Sequence, residues 1–348
     1  MDSQELKERS LSFSNSPTKE AIVGSMPKTF VRIDDDIQPG YEKGVADTVY
    51  GTKKIQDSAI FGDLYESLMT GKSSYVTYLN NFILDEKGKP KPEKDIYIPK
   101  FVISMVKKID VPRWFYSEII FSRLANLMGI PTVYNCAPCA TGKTAVDTSE
   151  VVSVDFVPNG YRIETFENMG FGSCGPETQI ANFIAQIERD MPQIAKIYKL
   201  KLTEEKMEKL IKDFCQQYLF RSVLCGDSDC DMNNYAMFYN KENGDFRLTP
   251  LFDGEGMFSF SYKNNPEQKY KMEKSIQYLD KLYPDMLRKF VISVNKLRYG
   301  KHIKQIMLHT IDMNQRGMMQ ACYDIVKDNV EFISQQYNLQ QSAKAEMI

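Results

Sequence analysis

One stretch of this chain, Leu224 to Met257, constrains the fold more than any other. It opens with an acidic loop that contains Asp227, Asp229, Asp231, Asn233 and Asn234. Two apolar runs follow, residues 235–239 and 246–252, and a turn with Asn243-Gly244 separates them. Asn-Gly between two alternating apolar runs is a strong signal of a β-hairpin. The second run ends at Asp253-Gly254, so we expect the hairpin to bring this aspartate close to the acidic loop.

The order of these polar residues suits phosphoryl transfer. Such a site needs a carboxylate that orients the attacking hydroxyl and accepts its proton. It also needs an amide and a second carboxylate that hold magnesium against the phosphates. Asp229 and Asn234 have the Asp-x-x-x-x-Asn spacing that protein kinases use, and Asp253-Gly254 follows them after the hairpin.

Two other interpretations of the acidic loop stay open. The Asp-x-Asp-x-Asp run is similar to the start of a calcium-binding EF loop, which needs Gly at its sixth position and Glu at its twelfth. Counted from Asp227, those positions hold Met232 and Phe238. The loop is also compatible with a solvated acidic turn before a purely structural hairpin. Spacing alone favours that turn over a catalytic loop, and features upstream in the sequence shift the balance.

Composition restricts the class of protein. The 348 residues, of which 43% are hydrophobic, suffice for one large or two smaller domains with a core. A net charge of −2 gives no case for nucleic acid or an anionic membrane as the main partner. We find no signal peptide and no apolar run near the roughly 20 residues that span a bilayer. Seven scattered cysteines favour a reducing compartment, so we predict a cytoplasmic protein.

Other residues exclude several kinds of site. The two histidines, His302 and His309, cannot readily build a Ser-His triad or a multi-His metal site, so an enzyme would use a carboxylate as its base. Thr141-Gly142-Lys143-Thr144 is similar to a P-loop, but Ala137 stands where its first glycine is required. Cys136 and Cys139 have no second cysteine pair with which to complete a zinc site.

Upstream of the acidic loop, a strand and a helix are predicted. Residues 95–102 alternate in part and predict a strand with Lys100 near its end. Pro112 to Gly129 predicts a helix with Glu118 in its first half and Gly129 as its stop signal.

The segment from Asp95 to Gly256 resembles the catalytic core of the HipA-like and CtkA-like serine/threonine kinases, a bacterial branch of the kinase fold. Their loop reads approximately Gly-Asn-Thr-Asp-Arg-His-x-x-Asn-Phe, and a Pro-x-x-Asp follows. This chain has Gly226-Asp227-Ser228-Asp229-Cys230-Asp231-Met232-Asn233-Asn234-Tyr235 and then Pro250-Leu251-Phe252-Asp253. Upstream, Lys100-Phe101, Ser117-Glu118 and Gly129-Ile130 match the family's strand and helix. The family's Arg and His are replaced by Cys230 and Asp231.

The resemblance implies an α+β, bilobal kinase-like fold. A mixed N-lobe would cover residues 44–158 and a mainly helical C-lobe residues 159–339. Outside the lobes we predict a mobile, Ser-rich arm at 1–43 and a frayed tail at 340–348. The serines of the arm would be candidates for autophosphorylation.

The resemblance also implies ATP and Mg²⁺ as cofactors and a protein substrate with a Ser or Thr acceptor. Asp229 would accept the proton of that hydroxyl, and Asn234 and Asp253 would hold the metal. Lys100, braced by Glu118, would position the α- and β-phosphates, with Lys107 and Lys108 as competing lysines.

Further nucleotide contacts are predicted at two places. A turn that includes Ser73 and Ser74 would cover the phosphates. The backbone of Asp155, Phe156 and Val157 would bind the adenine edge, as in the strand that links the two kinase lobes. Two alternatives to a protein kinase stay open. One is a pseudokinase that binds nucleotide and acts as an interaction module, and the other is a kinase for a lipid or a small molecule. The sequence decides neither the oligomeric state nor whether the protein is a secreted effector.

Overall fold

The computed structural model describes residues 28–34, 43–48, 51–56, 68, 70, 73–77, 80–85, 89–92, 95, 101–136, 150–158, 160–172, 179–299 and 316–346. These residues form an α+β structure, as predicted. The chain divides into two compact units, Met1–Glu164 and Thr165–Ile348. None of the described helices is both long and apolar enough to cross a membrane.

The first unit is built on a six-stranded sheet. Its strands are β1 (Lys28–Asp34), β2 (Lys43–Thr48), β3 (Gly51–Gln56), β4 (Phe101–Lys108), β5 (Asn135–Cys136) and β6 (Glu150–Val154). They lie in the order β3-β2-β1-β4-β6-β5, and every neighbouring pair is antiparallel. The helices α1 (Asn80–Ile83) and α2 (Pro112–Leu127) also belong to this unit, and α2 connects β4 to the β5 edge.

The position of β4 differs from the prediction. The described strand covers Phe101–Lys108 and so continues beyond the predicted end at Val102, and residues 96–100 lie outside the described residues. Phe101 to Val106 is rich in β-branched and aromatic side chains, which favour a strand. The shift places Lys107 inside the strand.

Helix α2 begins and ends where the sequence predicts. Pro112 stands at its start, where its fixed φ suits a helix and its missing N–H is not needed. Gly129 follows the helix in the left-handed conformation, with φ of 72°. The helix buries aromatic and aliphatic side chains, including Phe115, Ile119 and Leu124, against the sheet unit.

The second unit is mainly helical. Its elements are α3 (Phe166–Met169), α4 (Ile180–Tyr198), α5 (Glu204–Tyr218), β8 (Ala236–Tyr239), β9 (Phe246–Leu248), α6 (Pro266–Leu282), α7 (Pro284–Tyr299) and α8 (Arg316–Glu346). A further strand, β7 (Arg162–Thr165), precedes α3. β8 and β9 form the predicted antiparallel hairpin, with Met237 opposite Leu248. Pro284 separates α6 from α7, because a proline disfavours a helical conformation at the preceding residue, Tyr283.

Two terminal segments contain more regular structure than the sequence predicts. β1 falls within the segment predicted to be a mobile arm, and its Phe30, Val31 and Ile33 are β-prone residues in a short run. Helix α8 continues to Glu346 through most of the predicted frayed tail. The other residues of the arm lie outside the described part of the chain, and the predicted domain limits stay predictions.

An aromatic cluster anchors the hairpin in the second unit. Phe214 of α5 lies 4.6 Å from Tyr235, between ring centroids, and 5.6 Å from Phe183 of α4. Tyr235 is fully buried and immediately precedes β8. Aromatic pairs at these distances add to the stability gained by burial alone. The cluster therefore fixes the end of the acidic loop to the helical core.

The N-terminus of α5 is capped by a side chain, and the contribution of this cap to stability can be tested. Oγ1 of Thr203 accepts a hydrogen bond of 3.2 Å from the backbone N–H of Lys206. We expect Thr203→Ala to lower the free energy of unfolding by about 1 kcal/mol, since it removes this cap. Urea unfolding followed by circular dichroism measures the change. Thr203→Ser keeps the hydroxyl and should retain most of the stability; equal losses in both variants would contradict the role of the cap.

Candidate active site

The acidic loop begins at an irregular helix end. After α5 the chain forms a π-helix, Leu219–Leu224, in which the N–H of Cys225 bonds to the carbonyl of Phe220 at 2.9 Å. Such wide turns are rare and are frequent at functional sites. Gly226 follows with φ of 60°, and a Cβ there would lie 2.0 Å from the carbonyl oxygen of Phe260. Only glycine fits this close approach.

A buried guanidinium joins the acidic loop to the loop that carries Asp253. Arg221, on the π-helix, is completely buried. Its Nε lies 2.8 Å from Oδ2 of Asp227. Its Nη1 and Nη2 donate hydrogen bonds of 2.8 and 2.9 Å to the carbonyl oxygens of Phe252 and Asp253. One side chain therefore contacts both loops.

Asp229 and Asn234 are in direct contact. Nδ2 of Asn234 donates to the backbone oxygen of Asp229 at 2.5 Å and to its Oδ2 at 3.0 Å. The backbone N–H of Asp229 donates to Oδ1 of Asp227 at 2.9 Å. Asp229 is exposed, whereas Asn234 is buried. The nitrogen of the Asn234 amide thus faces Asp229, which leaves Oδ1 as its candidate ligand atom.

The two departures from the kinase pattern have structural roles in this loop. The thiol of Cys230 is completely buried and lies 3.1 Å from the hydroxyl of Tyr235. Burial raises the pKa of Cys230 to about 11, so this thiol is protonated at neutral pH. Oδ1 of Asp231 accepts the N–H of Asn233 at 2.8 Å and caps the short 3₁₀ turn Met232–Asn234. Burial, and then the charge of Asp229, raises the pKa of Asp231.

The loop after β9 packs closely on the acidic loop. A Cβ on Gly256 would lie 2.5 Å from Cβ of Asp229 and 2.6 Å from Oδ1 of Asp227. The N–H of Ser228 donates to the carbonyl of Gly256 at 3.0 Å. Asp253 has a positive φ of 54°, which is uncommon for a residue other than glycine and is often found at active sites.

Helix α8 holds the outer ends of both loops. Nδ2 of the buried Asn329 donates to the carbonyl of Leu224 at 3.0 Å, and its Oδ1 accepts from the N–H of Tyr262 at 3.1 Å. Leu224 ends the π-helix before the acidic loop, and Tyr262 follows the Asp253 loop. Both loops are therefore tied to the same helix.

The candidate oxygen ligands of this site suit a magnesium ion that is bound together with phosphates. Among the described residues, no group of three or more His, Cys, Asp or Glu side chains is arranged to hold a metal ion. Mg²⁺ in phosphoryl-transfer sites takes one or two protein carboxylates, and phosphates and waters supply the remaining ligands. Asn234 and Asp253 fit that requirement. They do not form the closed set of oxygen ligands that a calcium loop needs.

A second buried charge pair lies in the first unit. Nζ of Lys107, on β4, is 2.9 Å from Oε1 of Glu118, on α2, and both side chains are almost fully buried. Nδ2 of Asn135 donates to Oε2 of Glu118 at 3.0 Å and to its backbone oxygen at 2.9 Å. Oγ of Ser153, directly opposite Asn135 in the sheet, donates to Oδ1 of Asn135. This network holds the carboxylate of Glu118 in one position.

The structure thus gives Glu118 a lysine partner other than the one predicted. That partner is Lys107, one of the two competing lysines, whereas Lys100 lies outside the described residues. The sequence feature that could have identified Lys107 is the β-prone run that precedes it. That run places Lys107 inside β4. The role predicted for Lys100 stays a prediction.

Ser73 and Ser74 are held away from this charge pair. The N–H of Ser74 and the Oγ of Ser73 both donate to Oδ1 of Asn126, at 2.7 and 3.3 Å. Asn126 lies near the C-terminal end of α2, two helical turns, or about 12 Å, beyond Glu118. The structure therefore does not bring these serines together with Lys107 and Glu118.

In the predicted adenine-binding segment, one backbone N–H is already hydrogen-bonded to a side chain of the same segment. Asp155, Phe156 and Val157 are all buried and follow β6. Oδ1 of Asp155 accepts a hydrogen bond of 2.9 Å from the N–H of Val157. In this conformation the N–H of Val157 is engaged within the chain, so an adenine would have to compete with the Asp155 side chain for it.

The buried pair of Lys107 and Glu118 can be tested by stability. We expect Lys107→Met to lower the free energy of unfolding by about 3 kcal/mol, because it leaves a buried carboxylate without its cation. Lys107→Met combined with Glu118→Leu should recover much of that loss, since no charge then remains buried. Chemical unfolding of the unsubstituted protein, the single variant and the double variant measures these free energies.

An exposed pair supplies the control for this test. Lys209 and Asp213 form an exposed ion pair of 2.8 Å along α5. Lys209→Met should change the free energy of unfolding by less than about 0.5 kcal/mol. A loss for Lys107→Met as small as that for Lys209→Met would contradict the buried pair.

No protein-family model and no curated protein matches this chain. The solved structures that are similar to it include two bacterial proteins. One is the proinflammatory kinase CtkA of Helicobacter pylori, at 13% identity over 70% of this chain and 94% of that chain, with a TM-score of 0.41. The other is a chain of the Shewanella oneidensis MR-1 HipA–HipB toxin–antitoxin complex with operator DNA, at 13% identity, 68% of this chain, 61% of that chain and a TM-score of 0.44. CtkA and HipA are also the proteins that give their names to the family that the acidic loop resembles in sequence.

Proposed function

We propose that this protein is an ATP- and Mg²⁺-dependent kinase with a bilobal, protein-kinase-like fold and a Ser or Thr acceptor on a protein substrate. The observation that carries the proposal is the contact between Asp229 and Asn234 beside the loop of Asp253. In this proposal Asp229 would be the proton acceptor, and Asn234 and Asp253 would be the metal ligands. Asp229 is the exposed member of the three and is free to meet a substrate in solution.

Each of these residues has a defined task in the proposed reaction. Asp229 orients the acceptor hydroxyl and takes its proton while the hydroxyl oxygen bonds to the γ-phosphorus and the bond to the ADP oxygen breaks. The hydrogen bond from Asn234 to Oδ2 fixes the direction of that carboxylate. Asn234 and Asp253 would hold Mg²⁺, which when bound neutralises charge on the phosphates.

For the phosphate-positioning lysine we infer Lys107. A lysine on a strand that pairs with a helix glutamate contacts the α- and β-phosphates in kinases. Lys107 on β4 and Glu118 on α2 have that relationship. The phosphate contacts of Ser73 and Ser74, the adenine contacts of residues 155–157 and autophosphorylation of the N-terminal arm stay predictions, as does a cytoplasmic location.

One observation favours a pseudokinase as the second candidate. The acidic loop lacks the Arg and His of the kinase pattern, and Cys230 and Asp231 replace them. Such a protein would bind nucleotide through the same residues without transferring phosphate. Mg²⁺-dependent binding of ATP without incorporation of phosphate into any acceptor would favour it.

The proposed base can be tested by substitution. We expect Asp229→Asn to lower phosphate incorporation from labelled ATP, into the chain itself and into a Ser/Thr peptide library, by about 100-fold or more. The rise in unfolding temperature with Mg²⁺ and ATP should persist, because the fold and Asp253 are unchanged. Asp213→Asn, which changes a partly exposed aspartate on α5, serves as the matched control and should be fully active.

Three outcomes of this experiment would count against parts of the proposal. Undiminished activity of Asp229→Asn would exclude Asp229 as the base. No incorporation by the unsubstituted protein, with a shift on adding Mg²⁺ and ATP, would support the pseudokinase. No incorporation and no shift would refute the kinase proposal.

The choice of lysine has its own test. Lys107→Met should reduce the affinity for ATP about 10-fold or more, measured by isothermal titration calorimetry below the unfolding temperature of the variant, since a charged contact to the phosphates is lost. Lys100→Met and Lys108→Met are matched controls and should bind ATP as the unsubstituted protein does. A loss confined to Lys100→Met would instead restore the lysine predicted from the sequence.

A further inference from the structure

The side chain of Arg221 is surrounded entirely by protein. It is completely buried, and its guanidinium carbon lies 5.7 Å from the centre of the Tyr235 ring. Its polar contacts are the carboxylate of Asp227 and the carbonyl oxygens of Phe252 and Asp253. Nothing in the proposed chemistry uses this charge directly, because no solvent or substrate reaches it.

Such a pair is a costly way to stabilise a fold. Both Arg221 and Asp227 have fully buried side chains, and removal of two charges from water is only partly repaid by their attraction. Apolar residues of similar volume often stabilise a core equally well. The pair is better explained by the positions of the two loops that it fixes than by a net gain in stability.

The pair fixes the backbone on which both functional carboxylates are mounted. On one side the planar guanidinium holds two successive carbonyls, those of Phe252 and Asp253. On the other side Asp227, bound to Arg221, accepts the N–H of Asp229 at 2.9 Å. The N–H of Asp227 also donates to the backbone oxygen of Arg221 at 3.1 Å. A continuous chain of contacts therefore runs from the backbone of Asp253 to the backbone of Asp229.

We infer that Arg221, through its buried ion pair with Asp227, is a positioning residue that sets the distance between the metal-binding Asp253 and the catalytic loop of Asp229 and Asn234. This inference rests on the proposed function, since it assigns a role within the same site. Lysine cannot replace this arginine, because an ammonium cannot hold two carbonyls and a carboxylate in one plane. The expected consequence of losing the guanidinium is weaker binding of the metal.

The test measures the unfolding temperature against MgCl₂ concentration at a fixed concentration of a non-hydrolysable ATP analogue. In Arg221→Lys we expect the Mg²⁺ concentration at half-maximal shift to rise about 10-fold, while the shift caused by the analogue without Mg²⁺ is unchanged. A merely structural role would lower the unfolding temperature and leave the Mg²⁺ midpoint where it was. That result would overturn the inference.

A double variant covers the case in which Arg221→Lys does not fold. Arg221→Met with Asp227→Leu leaves no unpaired buried charge, so it should fold and still show the raised Mg²⁺ midpoint. Lys206→Met is the control, because it removes the partly exposed pair with Asp245 at the hairpin turn and should keep the normal midpoint. An unchanged midpoint in the double variant would refute the inference.

The proposed function can fail separately from this inference. If the unsubstituted protein shows no Mg²⁺-dependent shift with the analogue, the metal site itself is refuted. If it does show the shift, and the variants share its midpoint, only the positioning role of Arg221 is refuted.

Discussion

The burial of one guanidinium determines how the second unit is arranged around its candidate site. A charge without access to water needs a carboxylate and further acceptors, and Arg221 finds them in Asp227 and in two carbonyls of the Asp253 loop. Those contacts require the two loops to pack with almost no space between them. Gly226 and Gly256 stand where a Cβ would collide with the facing loop. The π-helix before the loop is the element that carries Arg221 into this position.

The first unit also contains a buried ion pair that is surrounded by hydrogen bonds. Lys107 and Glu118 form a buried pair, and Asn135 and Ser153 satisfy the remaining acceptors around the carboxylate. Partially satisfied polar groups inside a protein are costly, whereas a complete network fixes one geometry. In both units a candidate functional group is therefore held by buried polar contacts.

Local patterns in the sequence predict the features that depend on short separations. The hairpin follows from Asn243-Gly244, and the contact of Asp229 with Asn234 follows from a five-residue spacing that a 3₁₀ turn closes. Features that depend on long-range packing were not predictable in this way. Arg221 lies in an apolar helical run, and nothing in its spacing shows that its charge points inward to Phe252 and Asp253. The partner of Glu118 also depended on where β4 begins, and a boundary is the least certain part of a strand prediction.

The central claim is that Asn234 and Asp253 hold a magnesium ion beside the proton acceptor Asp229. The most direct measurement is a crystal structure with a non-hydrolysable ATP analogue and MgCl₂. The account predicts a metal at about 2.1 Å from Oδ1 of Asn234 and from a carboxylate oxygen of Asp253, with phosphate oxygens among its other ligands. A nucleotide whose phosphates and metal are bound by neither residue would contradict it.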